Sequence, residues 1–217
     1  MNINNDHSSP NYWKTTTGKP LIIKPWAIVI HATAADTVES TLNWFKNPGS
    51  QASSQYVIDK DGEIYQLMPD NYAAWHAGKS SWKGTENMNL HSIGIELVNN
   101  GVTPYTSDQI DACIELVRHL MEAYDIKAED VVGHKDISPG RKTDPYQQFP
   151  WSSFRKRIAA LTDIEKVAYS EVVNTWKDGK EAVAAAVAKG AITDRVNLSV
   201  DKLWVLIVLY RLKLFKK

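Results

Sequence analysis

Three short apolar runs mark the chain. Trp26-Ala27-Ile28-Val29-Ile30 ends in His31, Ile93-Gly94-Ile95-Glu96-Leu97-Val98 contains one carboxylate, and Val131-Val132-Gly133 ends in His134. Continuous rather than alternating apolar residues predict strands buried on both faces. Thr37–Phe45 carries Val38, Leu42 and Phe45 at helical spacing, with Thr37 as the expected N-cap and Pro48-Gly49 as the stop. Ser107–Tyr124 places Ile110, Cys113, Ile114, Val117, Leu120 and Met121 on one helical face, with Ser107 as the expected cap. Tyr56–Ile58 and Glu63–Leu67 flank Asp59-Lys60-Asp61-Gly62, which predicts a β-hairpin with Asp-Gly at its bend.

The remaining segments are less regular. Residues 1–20 are polar and lack periodicity, as expected of an arm or a peripheral loop. Residues 71–91 hold Trp75, His76 and Trp82 among polar neighbours and predict a long loop, a kind that is usually functional or mobile. Strands alternating with helices predict an α/β or mixed α+β domain over 21–160. Residues 164–217 predict a small helical module, with Gly190 as a helix C-cap and a second helix from Ser199. Its apolar run Leu203–Tyr210 falls well short of the roughly 20 residues a membrane span needs. No transmembrane segment is expected.

Composition narrows the class. With 217 residues, 43% hydrophobic and 23% charged, the chain can bury a core, and disordered or collagen-like readings are excluded. Cys113 is the single cysteine, so no internal disulfide supports the fold. Met1–Lys14 lacks the apolar core of a signal peptide, so a cytoplasmic protein is expected. Charge is asymmetric: residues 1–150 carry 12 Lys/Arg against 18 Asp/Glu, and residues 151–217 carry 13 against 7. The basic tail suggests an anionic partner such as a wall polymer, membrane or nucleic acid. For nucleic acid there is neither a motif nor a basic-aromatic pattern.

Candidate chemistry gathers at the ends of the apolar runs. His31 and His134, with Asp144 returned by the Pro/Gly-bearing loop after His134, would form three protein ligands suited to a catalytic zinc. Each histidine alone reads more readily as a packed, hydrogen-bonded residue than as a ligand. Glu96 is costly among its apolar neighbours unless it is paired or used; it reads as half of a salt bridge or as a proton carrier. Lys142 reads as a solvated surface lysine or as a stabiliser of an oxyanion.

Taken in order, five blocks resemble the zinc-dependent N-acetylmuramoyl-L-alanine amidases of the type-2 class, relatives of the peptidoglycan recognition proteins. They are Val29-Ile30-His31-Ala32-Thr33, Ser54–Ile58 before Asp61-Gly62, Ala74-Trp75-His76-Ala77-Gly78, Ser92–Leu97, and Gly133-His134 through Lys142-Thr143-Asp144-Pro145. The resemblance covers about residues 24–160 and implies a central mixed β-sheet flanked by helices. It implies zinc held by His31, His134 and Asp144, Glu96 as general base, Lys142 as transition-state stabiliser, and Trp75 and His76 as substrate-cleft residues. Some relatives place a catalytic Tyr where Ser54 stands here, which leaves the proton work to Glu96 and Tyr56 to the core.

The implied reaction is hydrolysis of the amide between N-acetylmuramic acid and L-alanine in peptidoglycan. The tail resembles, more loosely, helical C-terminal modules of phage lysins. Catalytic domain and basic tail together suggest a phage or prophage endolysin whose module holds an anionic wall polymer. The alternatives are a cytosolic amidase that recycles wall fragments and a noncatalytic peptidoglycan-binding protein.

Overall fold

The computed structural model describes residues 2–160. The helical module expected over 164–217 lies outside the described residues. In chain order the strands are β1 (Ile3–Asn4), β2 (Ala27–Ala32), β3 (Tyr56–Ile58), β4 (Ile64–Gln66), β5 (Ser81–Trp82), β6 (Thr85–Glu86), β7 (Ser92–Leu97) and β8 (Val131–Gly133). The α-helices are α1 (Val38–Lys46), α2 (Ser107–Tyr124), α3 (His134–Ile137) and α4 (Trp151–Ala159).

Six strands form one mixed sheet in the order β1-β4-β3-β7-β2-β8, parallel throughout except for the β3–β4 hairpin. The three apolar runs become the adjacent strands β7, β2 and β8. Their placement explains the lack of alternation, because both sheet faces are covered. Ile28, Ile30, Ile93, Ile95 and Leu97 pack beneath α2 and α4, on Cys113, Leu116, Leu120 and Phe154. The opposite side chains of β2, Ala27 and Val29, pack on Ala77, Met88, Val132 and Ile137.

Local signals set the boundaries. Thr37 caps α1 by accepting from Ser40 N, as its spacing predicts. The cap of α2 is one residue earlier than expected: Thr106 Oγ1 accepts from Gln109 N, so Ser107 is already helical. Adjacent hydroxyl residues offered two caps, and Thr106 is further fixed by donating to the Lys60 carbonyl. The hairpin bend closes through Gly62 N to Asp59 O, with Gly62 at a φ of +88°, where a side chain would also meet Asp108 O.

Residues 2–20 are not a loose arm. β1 adds to the sheet beside β4, and Ser9 and Asn11 are buried. Asn11 Nδ2 lies within hydrogen-bonding distance of the Phe45, Asn47 and Ala52 carbonyls, and Ser53 donates to the Asn11 carbonyl. Such backbone-directed bonding leaves no apolar period, so polarity alone hid the packing. Asn11→Ala should lower unfolding stability by about 1–3 kcal/mol, because it strips donors from buried carbonyls. Urea denaturation checks this, and an unchanged midpoint would return the segment to the status of an arm.

Candidate active site

Sheet register sets the first two groups side by side. His31 of β2 pairs with Glu96 of β7, and Ile30 pairs with Gly133 of β8, immediately before His134. Paired residues on neighbouring strands share a face, and these strands are parallel, so His31, Glu96 and His134 meet at one sheet end. Strand carboxyl ends are where open α/β sheets commonly place ligands.

Asp144 arrives by a return loop. The Gly133 N–H donates to Asp136, turning the chain from β8 into α3, and Lys135 N donates to the Asp144 carbonyl. Gly133 also clears the path: a Cβ there would sit 2.8 Å from Pro145 Cδ and 3.1 Å from the Trp151 ring. The loop can therefore close tightly behind His134.

The result is a cluster of inward acceptors. His31 Nδ1 lies 2.9 Å from His134 Nδ1, and Asp144 Oδ2 lies 3.1 Å from His134 Nδ1 and 3.4 Å from His31 Nδ1. All three residues are buried. His134 Nε2 faces the Ala77 carbonyl at 3.1 Å. Arg141 Nη2, a donor only, also stands 3.3 Å from this nitrogen, but it has closer acceptors in the Ala77 carbonyl at 2.6 Å and Ser138 Oγ at 2.7 Å. The Nε2 proton is therefore donated to the Ala77 carbonyl, and the neutral ring turns a bare Nδ1 lone pair toward the carboxylate. A single proton can reconcile one such pair of acceptors at a time. A divalent cation can satisfy all three, and these donor types and spacings suit zinc. Among the described residues, this is the group of three His, Cys, Asp or Glu whose ligand atoms all fall within 4.8 Å of one another.

Glu96 stands beside this cluster with Oε2 enclosed and without a hydrogen-bond partner. Burial pushes its carboxyl up to about 8; Asp144 adds to the shift and the Lys142 ammonium opposes it. Burial, reinforced by His134, lowers His31 to about 4, so the ring is neutral near pH 7, as a metal ligand must be. Lys142 itself is exposed.

The other expected site residues divide. Trp75 is half-buried, and its backbone N–H donates to Ser53 Oγ. His76 does not line an open cleft: it is 7% exposed, and its Nδ1 sits 3.0 Å from His31 Nε2. The ring turns inward, where Gly94 leaves room for it. Ser54 donates to backbone carbonyls of Tyr56 and Gly94, and Tyr56 is a core residue whose hydroxyl is bonded to Asp70. Asn89 and Arg141 were not legible as site residues, since neither lies on an apolar run. Asn89 Oδ1 accepts from both His76 N and Ala77 N, and Arg141 donates to the Ala77 and Lys79 carbonyls.

Comparison with known proteins agrees with this arrangement. The chain belongs to the N-acetylmuramoyl-L-alanine amidase family, which matches residues 23–147 and is zinc-dependent. The 1,6-anhydro-N-acetylmuramyl-L-alanine amidase AmpD of Enterobacter cloacae is 41% identical over 113 residues, 52% of this chain and 60% of that protein. The N-acetylmuramoyl-L-alanine amidase AmiD of Escherichia coli (strain K12) is 38% identical over 159 residues, 65% of this chain and 56% of that protein. AmiD has been solved in complex with the substrate anhydro-N-acetylmuramic acid-L-Ala-D-gamma-Glu-L-Lys; it matches with a TM-score of 0.59 and 32% identity, covering 76% of this chain and 71% of that one. A mutant endolysin from Bacillus subtilis matches with a TM-score of 0.58 and 28% identity, covering 73% and 99%. The chain thus spans less than two thirds of the length of the two curated relatives.

The raised Glu96 carboxyl carries a stability cost with a definite sign. Unfolded, it ionises near 4.5, whereas folded and metal-free it holds its proton up to about 8. The unfolded chain therefore binds fewer protons in that window, and folding stability falls as pH rises from 4.5 to 8. Glu96→Gln should stabilise the metal-free protein by on the order of 1–3 kcal/mol at pH 7, with the gain vanishing below pH 4.5. Thermal unfolding of chelator-treated protein across that range checks this; a gain independent of pH would contradict it.

Proposed function

We propose that this protein is an N-acetylmuramoyl-L-alanine amidase that hydrolyses the amide between N-acetylmuramic acid and L-alanine of peptidoglycan. The observation that carries this is the convergence of three metal-binding acceptors beside a buried carboxyl oxygen with no partner. His31, His134 and Asp144 would hold zinc, which when bound supplies Lewis acidity toward the scissile carbonyl and acidifies water.

The remaining chemistry belongs to side chains of this chain. Glu96 takes a proton from the attacking water and returns it to the departing alanine nitrogen. Burial raises its carboxyl range, which suits the return of the proton near neutral pH, and a cation held beside it would favour the carboxylate that must first accept one. Lys142 is close enough to act electrostatically on both His31 and Glu96, which supports a role for its ammonium in countering charge on the attacked carbonyl oxygen. Trp75, half-buried beside the site segment, offers a surface for the substrate.

For the biological role we favour a phage or prophage endolysin, kept in the cytoplasm until release and held on the wall by residues 164–217 through an anionic polymer. The +6 balance of residues 151–217 and the B. subtilis endolysin match support it. The similarity to AmpD, named for anhydro-muramyl substrates, favours a recycling amidase as the second reading.

The test is release of new alanine amino termini from purified peptidoglycan and from soluble anhydro-muropeptides, with chelation and zinc add-back. Glu96→Gln should reduce zinc-restorable release by about 10²–10⁴-fold, and Lys142→Met by about 10²–10³-fold. No release from either substrate by the zinc-loaded protein would reject the amidase reading. Release from soluble fragments alone would reject the endolysin role in favour of recycling.

A further inference from the structure

The tautomers of the two clustered histidines can be followed outward, and both lead to one segment. His134 Nε2 donates to the Ala77 carbonyl. His31 Nε2 meets His76 Nδ1 at 3.0 Å, a contact that either ring could donate. The ambiguity is resolved one step further out. Ser92 Oγ donates to the Met88 carbonyl at 2.6 Å, which uses its only proton, so toward His76 Nε2 at 3.4 Å it can only accept. The His76 proton therefore sits on Nε2, its Nδ1 is a lone pair, and His31 must donate from Nε2. His31 is left, like His134, with a bare Nδ1 pointing at Asp144.

The segment that does this is itself held rigidly. Asn89 Oδ1 accepts the N–H of both His76, at 3.0 Å, and Ala77, at 2.7 Å. Arg141 Nη2 donates to the Ala77 carbonyl at 2.6 Å, taking the lone pair that His134 leaves. Gly94 supplies the space, since a Cβ there would stand 2.6 Å from His76 Cγ.

We infer that His76 and the Ala77 carbonyl, clamped by Asn89, are positioning groups that keep both metal-facing histidines in the tautomer with Nδ1 bare. This rests on the metal-centre reading proposed above. It assigns His76, buried behind His31, to the site's supporting layer instead of the substrate cleft. Outer partners of this kind orient ligating imidazoles and raise their basicity.

Two measurements test it: the zinc dissociation constant by chelator competition, and the His31 tautomer by long-range proton–nitrogen NMR of the metal-free protein. His76→Ala should weaken zinc binding by about 10–100-fold. His76→Asn should recover most of that loss, because its Oδ1 stands where the accepting Nδ1 stood. Gly94→Ala displaces the ring without deleting it and should weaken zinc in the native background, yet add far less in His76→Ala, where the ring is gone and only the Cβ of residue 76, 3.0 Å from the new methyl, must give way. If His76→Ala does not fold, Gly94→Ala and His76→Asn carry the test.

A role in packing alone would lower the melting temperature of the metal-free variants while leaving zinc affinity unchanged, and that result would overturn the inference. So would a His31 proton found on Nδ1. A wild-type chain without zinc affinity would instead reject the metal-centre reading, and this inference with it.

Discussion

Three acceptor atoms held within 3.4 Å of one another, with no proton able to serve them all, are the constraint around which this domain is organised. Left in water, two imidazoles and a carboxylate would separate and solvate. Here the backbone prevents it. His31 is fixed by ladder bonds on both sides of β2, His134 by the turn into α3, and Asp144 by the bond from Lys135 N to its own carbonyl. The cost of that convergence is borne by the apolar layers beneath α2 and α4.

The same layers account for the electrostatics. Burial drives His31 down and Glu96 up, in each case toward the neutral form. A cation in the cluster would reverse the preference of Glu96, since a nearby positive charge favours the carboxylate. The site therefore suits the chemistry its donor set supports: the neutral His31 ring can offer a lone pair to a cation, and a carboxyl brought down from its buried range by that charge can accept a proton and return it. Local instability of this sort is common where function and folding compete.

Strands β2, β3, β4, β7 and β8, the hairpin bend, and helices α1 and α2 were legible because each has a period or a turn signal that outweighs its context. Tertiary facts were legible only where a motif carried them. His31, His134 and Asp144 could be grouped because two apolar runs end in histidine and because the five blocks recur in a known order; their spacing of 103 and 10 residues would not have sufficed. The anchoring of residues 2–20 was not legible because it runs through carbonyl-directed hydrogen bonds, which leave no hydrophobic period. The inward turn of the His76 ring was not legible, since whether a loop side chain turns inward depends here on the empty Cβ position of Gly94, eighteen residues away in sequence.

That dependence changes how residues 71–91 should be regarded. A loop of this length, rich in Trp, His and Gly, suggested mobility or direct substrate contact. Its backbone is instead tied at close intervals: Trp75 to Ser53, His76 and Ala77 to Asn89, Met88 to Ser80. A support that must hold two imidazoles to a few tenths of an ångström cannot be a loose one, because misplaced ligands lose metal affinity steeply. The irregular backbone at His76 and Ala77, ahead of β5, follows from geometry. Both a side-chain nitrogen and a neighbouring main-chain carbonyl must point the same way, and in a strand successive groups point to opposite sides. An irregular segment, locked by side-chain acceptors such as Asn89, can satisfy both demands at once.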